Sequence, residues 1–328
     1  RALLQQGCKT FFVAHLDEGI TLRRTAPDAD IYILNGLTPG DEGVFQTYSL
    51  RPVLNDLGQL ECWGDFCSAQ AVANPSAALQ LDTGMSRLGL SISEQKTLFS
   101  KQDRLDPIQV TLVMSHLACA DEPDNPMNRA QLREFQAALQ NLPSASASLA
   151  ASSGIFLGPE WRFDMVRPGL CLYGVKPNDL APNPMAAVVR LQGKILQIQN
   201  VDASRSVGYG ATHRVGKPTR VATIAAGYAD GFSRMLSNQG FVTFNNHPLP
   251  ILGRVSMDLI TVDFSALPDD ASSPRPGDLV DLIGPNRTID DLATDAGTIG
   301  YEILTSLGNR YRRRYIGAAS LSTPAEAV

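Results

Sequence analysis

The sequence predicts a (β/α)8 barrel of the TIM type followed by a mainly β domain, and three observations carry this prediction. At 328 residues the chain is long enough for one large domain or two ordinary ones. Up to about residue 174, short apolar strands alternate with helical stretches, as in parallel sheets built from right-handed crossovers. After residues 176–185, where Pro and Asn cluster, strands follow one another without helices. We therefore expect domains at 1–183 and 184–328.

Seven barrel strands can be assigned. They are TFFVA (10–14), IYILNG (31–36), RPVLN (51–55), ALQLDTG (78–84), VTLVMSHL (110–117), SASLAAS (146–152) and MVRPGLCLYG (165–174). A closed barrel of the commonest kind has eight, and the chain opens in a helix that Gly7 would end. We therefore expect the first strand, its loop and most of its helix to be missing from this sequence. An open seven-stranded sheet is the alternative.

Helix caps and turns support this division. Ser91 and Glu94 form a capping box, and Asn125 caps a helix that begins at Pro126. The second region contains KILQIQNV, TRVATIAAG, GFVTFN, PLPILGRV, DLITVDFS and GDLVDLIG, with NNHP (245–248) as a hairpin turn. Thr288 caps a further helix, and a closing helix is predicted through GYEILTSLGNRY (300–311).

Composition excludes several classes of partner. The formal charge of −5 and the absence of a basic stripe argue against binding to nucleic acid or an anionic membrane. The basic run at 310–314 is interpreted as the solvated end of the closing helix. Five cysteines without CxxC spacing indicate free thiols in the cytoplasm and no metal site. No apolar run approaches the roughly 18 residues of a membrane span.

Candidate site residues stand where barrel active sites form, at the carboxyl ends of strands. They are Asp82, Thr83 and Arg87 in LDTGMSRLG, His116 at the end of VTLVMSH, and Arg167 in MVRPG. Taken singly, each has an ordinary structural explanation: a turn, a satisfied histidine or an ion-pair partner. Together, on converging strands, they indicate an active site.

Two further groups of residues are suggestive. Ser152, Ser153 and Gly154, with Gly169, bring hydroxyls and small residues to the region where barrels tend to bind phosphate. In the second region, VGYGAT (207–212), AAGYADGFSR (225–234) and GRVSMDL (253–259) interrupt strands. Turns and bulges explain their glycines but not the tyrosines, the Arg and the Met-Asp pair beside them.

These segments, in this order, resemble the alanine racemase family. The motifs that carry the resemblance are LDTGMSRLG, SHLACADE, LAASSGIFLG, VRPGLCLYG, VGYGATHR, AAGYADGFSR, PILGRVSMD and GTIGYEILTSLGNRYRRRY, which together span nearly the whole chain. The resemblance implies a cofactor, pyridoxal 5′-phosphate (PLP), and interconversion of L- and D-alanine that supplies D-alanine for peptidoglycan. It also implies a homodimer with shared active sites.

The resemblance implies roles for individual residues. Tyr209 matches the tyrosine base that acts in the neighbouring subunit's site, and His116 a histidine of the catalytic hydrogen-bond network. Arg167 matches the arginine at the pyridine nitrogen of PLP. Arg87 matches the arginine that orients the cofactor phenolate and the substrate carboxylate.

Other matched positions surround the cofactor and substrate. Those around the phosphate are Ser152, Gly169, Leu170 and Tyr301. Those on the substrate side and at the mouth of the site, which the resemblance assigns to the partner subunit, are Met257, Asp258 and Tyr228.

The chemistry agrees with these roles. Inverting a stereocentre needs two groups on opposite faces of a planar carbanion, one of which Tyr209 supplies. A phenol with a pKa of about 10 is a weak base at neutral pH, so it needs neighbours such as His116 and Arg167. A guanidinium keeps its proton, so Arg167 would leave the ring nitrogen unprotonated and limit side reactions.

The second base is the difficulty. PLP enzymes bind the cofactor through a Schiff base to a lysine, which in this family follows the first barrel strand. None of Lys9, Lys96, Lys101, Lys176, Lys194 and Lys217 has that context, so we expect the lysine in the missing part. Gln80 and Ala151 also replace a lysine and an asparagine common in relatives.

Three functions are therefore weighed: an alanine racemase, a PLP-binding protein without racemase activity, and a racemase for a broader range of amino acids. Retention of Tyr209, Arg167, His116 and the pair Met257-Asp258 favours a racemase, because a mere PLP carrier has no use for a second base.

Overall fold

The computed structural model describes residues 1–179, 182–268 and 273–317. The chain divides into two compact units. The first contains Arg1–Gly169 and a short segment that begins at Pro177, and the second contains Leu170–Lys176 and the chain from Pro182 onward.

The first unit is an alternating β/α structure around a six-stranded parallel sheet in the order β1-β2-β3-β4-β5-β6. Its strands are β1 (Thr10–Val13), β2 (Asp30–Ile33), β3 (Arg51–Leu54), β4 (Ser76–Gln80), β5 (Gln109–Met114) and β6 (Ser146–Ser148). Its helices are α1 (Ala2–Gln5), α2 (Leu16–Thr25), α3 (Glu42–Thr47), α4 (Leu57–Ala69), α5 (Ile92–Ser100) and α6 (Pro126–Leu139). Consecutive strands pair throughout, which is the arrangement of a (β/α) barrel.

Local sequence signals position the helices that flank the site. Ser91 accepts from the Glu94 amide while Glu94 reaches back to the Ser91 amide, so the predicted capping box at α5 is confirmed. Asn125 caps α6 through the Met127 amide, and Pro126 occupies the first turn, as predicted. The buried face of α6 carries Leu132 and Phe135 into the core.

The seventh predicted barrel strand is wrong as a strand. Residues 165–174 form a single parallel bridge, Ala151 to Arg167, and then a 3₁₀ turn at Leu170–Tyr173. Pro168 has no N–H to continue a ladder, so strand pairing ends directly after Arg167. This termination leaves Arg167 at the edge of the sheet rather than within it.

The second unit is built on a six-stranded sheet in the order β12-β11-β14-β7-β10-β13, whose described pairings are antiparallel. Its strands are β7 (Leu191–Val201), β8 (Ser206–Val207), β9 (His213–Arg214), β10 (Thr219–Ala225), β11 (Phe241–Phe244), β12 (His247–Pro250), β13 (Leu259–Asp263) and β14 (Leu279–Ile283). The pair β8-β9 forms a separate ribbon. The β11-β12 hairpin turns at Asn245 and Asn246, both with positive φ, which confirms the predicted turn.

The two last helices, α7 (Ile289–Asp295) and α8 (Gly300–Ser306), complete the second unit. Thr288 caps α7 with a capping box, as predicted. The closing helix is shorter than predicted. It ends at Ser306, and the backbone of Leu307 is extended. The basic run at 310–314 therefore lies beyond the helix, and its interpretation as a solvated helix end is wrong.

Two sequence-level expectations bear on the thiols and on membranes. All five cysteines are free thiols, as expected. Over the ranges given above, no helix combines the length and apolarity needed to cross a bilayer.

Candidate active site

The carboxyl ends of β4, β5 and β6 bring the predicted barrel residues together. Thr83 follows β4, and Ser115 and His116 follow β5. Arg167 returns to this edge through its backbone bridge beside β6, where its amide donates to the Ala150 carbonyl at 2.9 Å. The polar side chains thus lie at the carboxyl ends of the strands, where the sequence predicts the active site.

The Arg167 guanidinium is held by backbone carbonyls rather than by a carboxylate. Nη1 donates to the carbonyl of Ser148 at 2.9 Å and also to its hydroxyl. Nη2 donates to the Ser115 carbonyl at 2.6 Å and to Leu149 at 3.3 Å. Nε has no hydrogen-bond partner within the described chain. One N–H of the guanidinium therefore remains for an external acceptor.

Burial shapes the charge of Arg167. Loss of hydration lowers the pKa of its guanidinium to about 10, which still leaves the group cationic at neutral pH. Partial carbonyl charges replace water around the cation without neutralising it. The site therefore contains a fixed positive charge.

His116 contacts this cation through a ring nitrogen. Arg167 Nη2 lies 3.4 Å from His116 Nδ1, and since arginine only donates, Nδ1 is the acceptor. The imidazole proton then resides on Nε2. Burial first, and then the nearby charges of Arg167 and Arg87, lower the pKa of His116 to about 4. At neutral pH the histidine is an uncharged donor through Nε2.

The loop after β4 is fixed by side chains that bond to its backbone. Asp82 Oδ1 accepts from the amides of Gly84, Met85 and Ser86 at 2.9 to 3.0 Å. Gly89 has a positive φ, and a Cβ there would approach the Asp82 nitrogen to 2.7 Å. The turn that sequence reasoning gave as the ordinary explanation of Asp82 is thus present.

Arg87 lies exposed on this loop, with no ion pair or hydrogen bond to other described residues. Gln80 does not bind the Arg87 guanidinium. Its amide instead donates to the Leu88 carbonyl at 3.2 Å. The loop is fixed next to Arg87 while the guanidinium itself is left available to an anion.

Ser152 and Gly169 are also brought together. The Gly169 amide donates to Ser152 Oγ at 3.0 Å, and the Ser152 side chain is buried. A Cβ built on Gly169 would meet nothing within 4 Å, so open space adjoins this pair. Leu170 and Tyr301, the other two positions matched to the phosphate, belong to the second unit.

In the second unit, Tyr209 stands on a turn held by glycines. Its side chain is 73 % exposed. Gly253 has a φ of 75°, and a Cβ there would approach the Val207 carbonyl oxygen to 2.6 Å. This close backbone approach brings the turn at 209–211 against the loop of Arg254, whose side chain is also exposed.

Tyr228 and Met257 are linked by their backbones. The Tyr228 amide donates to the Ser256 carbonyl and the Ala229 amide to the Met257 carbonyl, both at 3.0 Å. Their side chains are substantially exposed. Together with Tyr209, Arg254 and Asp258 they line a cleft of about 420 Å³.

Asp258 is held by the basic run that follows α8. Arg310 Nη2 lies 2.7 Å from Asp258 Oδ1, and Arg310 Nε lies 3.3 Å from Asp230 Oδ1. Asp230 is buried and also accepts from the Gly227 amide at 2.9 Å. Beside it, burial raises the pKa of Tyr311 well above its usual range. Arg310 thus connects the two substrate-side loops.

Sequence reasoning missed several residues of these clusters. Ser115, Ser148 and Gln131 supply hydrogen bonds within the barrel cluster, and Arg310 organises the second one. Gln131 had a usable signal, because it falls on the buried stripe of α6 beside Leu132.

Lysines and metal ligands complete the description of the candidate site. In the first unit Lys9 precedes β1, Lys96 lies on α5 and Lys101 follows it, so none of the three follows a barrel strand. Within the ranges that the structure describes, no His, Cys, Asp or Glu side chains cluster as metal ligands.

The first unit is a β/α barrel sheet with polar side chains at its carboxyl edge, and the second is an antiparallel domain. These features define the class of two-domain barrel enzymes. The family model "Alanine racemase, N-terminal domain" matches residues 1–177, and "Alanine racemase, C-terminal domain" matches residues 188–315. The chain belongs to the alanine racemase family, and the resemblance drawn from its motifs is confirmed.

Individual relatives agree with this assignment. Over 317 residues the chain is 49 % identical to "Alanine racemase, catabolic" of Agrobacterium fabrum, covering 96 % of this chain and 81 % of that protein. It is 48 % identical to alanine racemase of Rhodospirillum rubrum, covering 96 % and 84 %. The crystal structure of the Bartonella henselae enzyme, with covalently bound pyridoxal phosphate, has a TM-score of 0.91 at 42 % identity and covers 96 % of this chain and 87 % of that one.

Proposed function

We propose that this protein is a PLP-dependent racemase that interconverts L- and D-alanine, with Arg167 at the pyridine nitrogen of the cofactor. One observation carries the proposal: the guanidinium is surrounded by carbonyls on its terminal nitrogens, while its Nε–H is left without a partner among the described residues. A pyridine nitrogen is a lone-pair acceptor of matching chemistry. When bound, PLP supplies an electron sink for the charge left by removal of the α-proton.

Arg167 would also set the charge of the ring nitrogen. A group that remains cationic up to a pKa of about 10 donates a hydrogen bond without giving up its proton. The ring nitrogen then stays unprotonated, which limits the electron sink and favours simple proton exchange over side reactions. His116, neutral at physiological pH, adds no second positive charge to the network.

The remaining cofactor and substrate contacts are proposed from the positions matched to the family. Ser152, Gly169, Leu170 and Tyr301 would bind the phosphate. The Arg87 guanidinium, which has no partner among the described residues, would orient the cofactor phenolate and the substrate carboxylate. Met257, Asp258 and Tyr228 would form the substrate side of the site.

The two proton-transfer groups are proposed to be Tyr209 and a lysine other than the six in the printed sequence. Tyr209 is supported by its exposure in the cleft of the second unit. It would act in the site of a second copy of the chain, so activity would require a homodimer. The lysine would attach the cofactor covalently.

The covalent attachment is tested by intact mass before and after borohydride reduction of the purified protein with PLP. A mass above the 35.3 kDa of the printed sequence, which increases further by one reduced cofactor, supports the proposal. A mass of 35.3 kDa without an adduct would exclude the lysine and favour a noncatalytic PLP-binding protein.

The role of Tyr209 is tested by solvent deuterium exchange in Tyr209→Phe. Because enantiomers are equal in energy, kcat/KM must fall equally in both directions. The exchange of the α-proton, however, should persist with one enantiomer of alanine and be lost with the other. Equal exchange from both enantiomers would contradict a one-face role.

The cellular role is proposed to be supply of D-alanine to peptidoglycan in the cytoplasm. Growth of a deletion strain that depends on added D-alanine supports this role. Growth without it, combined with failure to use D-alanine as a carbon source, would favour a catabolic role like that named for the Agrobacterium fabrum relative.

A further inference from the structure

We propose that Gln131, on helix α6, is a positioning residue that holds the His116–Arg167 pair in place through the backbone after β5. Its meaning for catalysis rests on the proposed function, but the contacts that carry it lie wholly within the first unit.

The Gln131 side chain is bonded at both ends. It is 1 % exposed. Its Oε1 accepts from the Ala118 amide at 2.9 Å, and its Nε2 donates to the His116 carbonyl at 2.9 Å. These partners fix the orientation of the amide, because only Nε2 can donate to a carbonyl. One side chain therefore holds both ends of a three-residue segment.

The same segment is held from the opposite direction. Arg167 Nη2 donates to the Ser115 carbonyl at 2.6 Å and lies 3.4 Å from His116 Nδ1. The backbone that carries the imidazole is thus fixed between the amide of α6 and the guanidinium. If Gln131 releases it, both the ring position and the carbonyl that supports Arg167 change.

A third contact links the amide to β4. Gln131 Nε2 also lies 3.3 Å from Thr83 Oγ1, and Thr83 Oγ1 lies 2.8 Å from Ser115 Oγ. Ser115 Oγ in turn donates to the Leu81 carbonyl at 2.8 Å, so Thr83 is the donor to Ser115. This buried chain of hydrogen bonds ties α6 to the ends of two neighbouring strands.

Packing alone does not call for an amide at this position. Gln131 lies on the apolar stripe of α6 with Leu132 and Phe135, where a methionine would fill similar volume without the cost of burying an amide. The amide is therefore best explained by the backbone groups that it orients.

The test uses Gln131→Met, with Asn55→Leu as a matched control. Asn55 is likewise buried, and its amide donates to the Leu34 and Val53 carbonyls at 3.1 and 3.0 Å. Both substitutions remove a buried amide that bonds to backbone, but Asn55 follows β3 rather than β5.

The main readout is NMR of histidine labelled with ¹³C at Cε1 in the full protein, with the His116 signal assigned by its loss in His116→Gln. In the wild type and in Asn55→Leu this signal should not titrate between pH 5.5 and 8, because the pKa of His116 lies near 4. In Gln131→Met the ring moves away from the guanidinium and becomes accessible to water, so it should titrate within that range. A flat signal in Gln131→Met would overturn the proposal.

A second variant and a kinetic measurement complete the test. If Gln131→Met does not fold, Gln131→Asn keeps an amide but shortens its reach, and the same titration is expected. In the PLP-loaded enzyme, kcat should fall about tenfold in Gln131→Met, with a smaller change in KM for alanine. A wild type that does not racemise alanine contradicts the proposed function, while the titration still decides the role of Gln131.

Discussion

The two clusters of site residues are organised differently. In the first unit, side chains bond to backbone: Arg167, Gln131 and Asp82 each hold two or more main-chain groups. In the second unit, the loops are joined by backbone hydrogen bonds and by the ion pairs of Arg310, and the side chains of Tyr209 and Met257 project into solvent. The first cluster therefore has its geometry before any ligand arrives, whereas these two side chains of the second cluster are left for contacts outside their own unit.

The largest difference between the clusters is expected in the free energy of unfolding when one arginine is removed from each. Arg167→Leu removes the donor to the Ser115 carbonyl and to the Ser148 hydroxyl, while the Ser148 carbonyl keeps the Ser115 amide, and the unfolding free energy should fall by on the order of 4 kcal/mol. Arg254→Leu removes an exposed side chain without a partner among the described residues, so it should change stability by less than about 0.5 kcal/mol. Denaturant unfolding of both variants measures the difference, and equal losses would break the comparison.

The second effect concerns acid stability and belongs to the first cluster alone. The folded pKa of His116, about 4, lies below its ordinary value of 6.5 because the ring is buried and close to two arginines. Between these values the unfolded chain binds more protons, so this contribution is present above pH 6.5 and is lost as the pH falls towards 4. It amounts to about 3 kcal/mol in full.

His116→Gln removes that contribution. The stability difference between wild type and variant should shrink by up to that amount from pH 7 to pH 4.5, as measured by urea unfolding at each pH. A difference that stays constant with pH would show that His116 is not held neutral by its surroundings.

The third effect tests the glycine packing of the second cluster. Gly253→Ala places a Cβ 2.6 Å from the Val207 carbonyl oxygen at a φ of 75°, so stability should fall by about 1 to 3 kcal/mol and racemase activity with it. Gly216→Ala is the control, because its Cβ would meet nothing within 4 Å. Thermal unfolding of both variants checks this, and a neutral Gly253→Ala would mean that the Tyr209 turn is not held by close approach.

The smallest effect is expected at the ion pairs of Arg310. Its side chain is about half exposed, so Arg310→Ala should lower the unfolding free energy only slightly, less than the three effects above. The variant should raise KM for alanine more noticeably than it lowers stability, because Asp258 loses its ion pair with Arg310. Both changes should diminish at high salt if the ion pairs cause them. An Arg310→Lys variant, which keeps the charge, serves as the control.

Sequence patterns predicted those parts of the molecule that local chemistry determines. The caps at Ser91 and Thr288 and the turn at Asn245 each depend on neighbouring residues only, and all three are present. The strand predicted at 165–174 is wrong, because its apolar residues favour a strand while Pro168 lacks the N–H needed to continue the pairing. The closing helix is shorter than its sequence predicts, because helical spacing does not indicate where tertiary contacts stop.

The candidate site shows the same limit. Motifs located Arg167 and His116, but not the amide of Gln131, because a buried glutamine acquires its purpose only from backbone groups elsewhere in the chain. Likewise, the charge of the basic run at 310–314 does not reveal the partners of Arg310, which lie 52 and 80 positions earlier in the sequence.

The backbone hydrogen bonds between the turn at Tyr228 and the loop at Met257 have a consequence for evolvability. Main-chain groups are the same whatever side chain is attached, so mutation at Tyr228 or Met257 can reshape the cleft without dismantling its support. Gly227 is different, because a Cβ there would collide with the Met257 carbonyl. Natural or laboratory selection for larger amino-acid substrates can therefore draw on the two side chains while the glycine remains invariant.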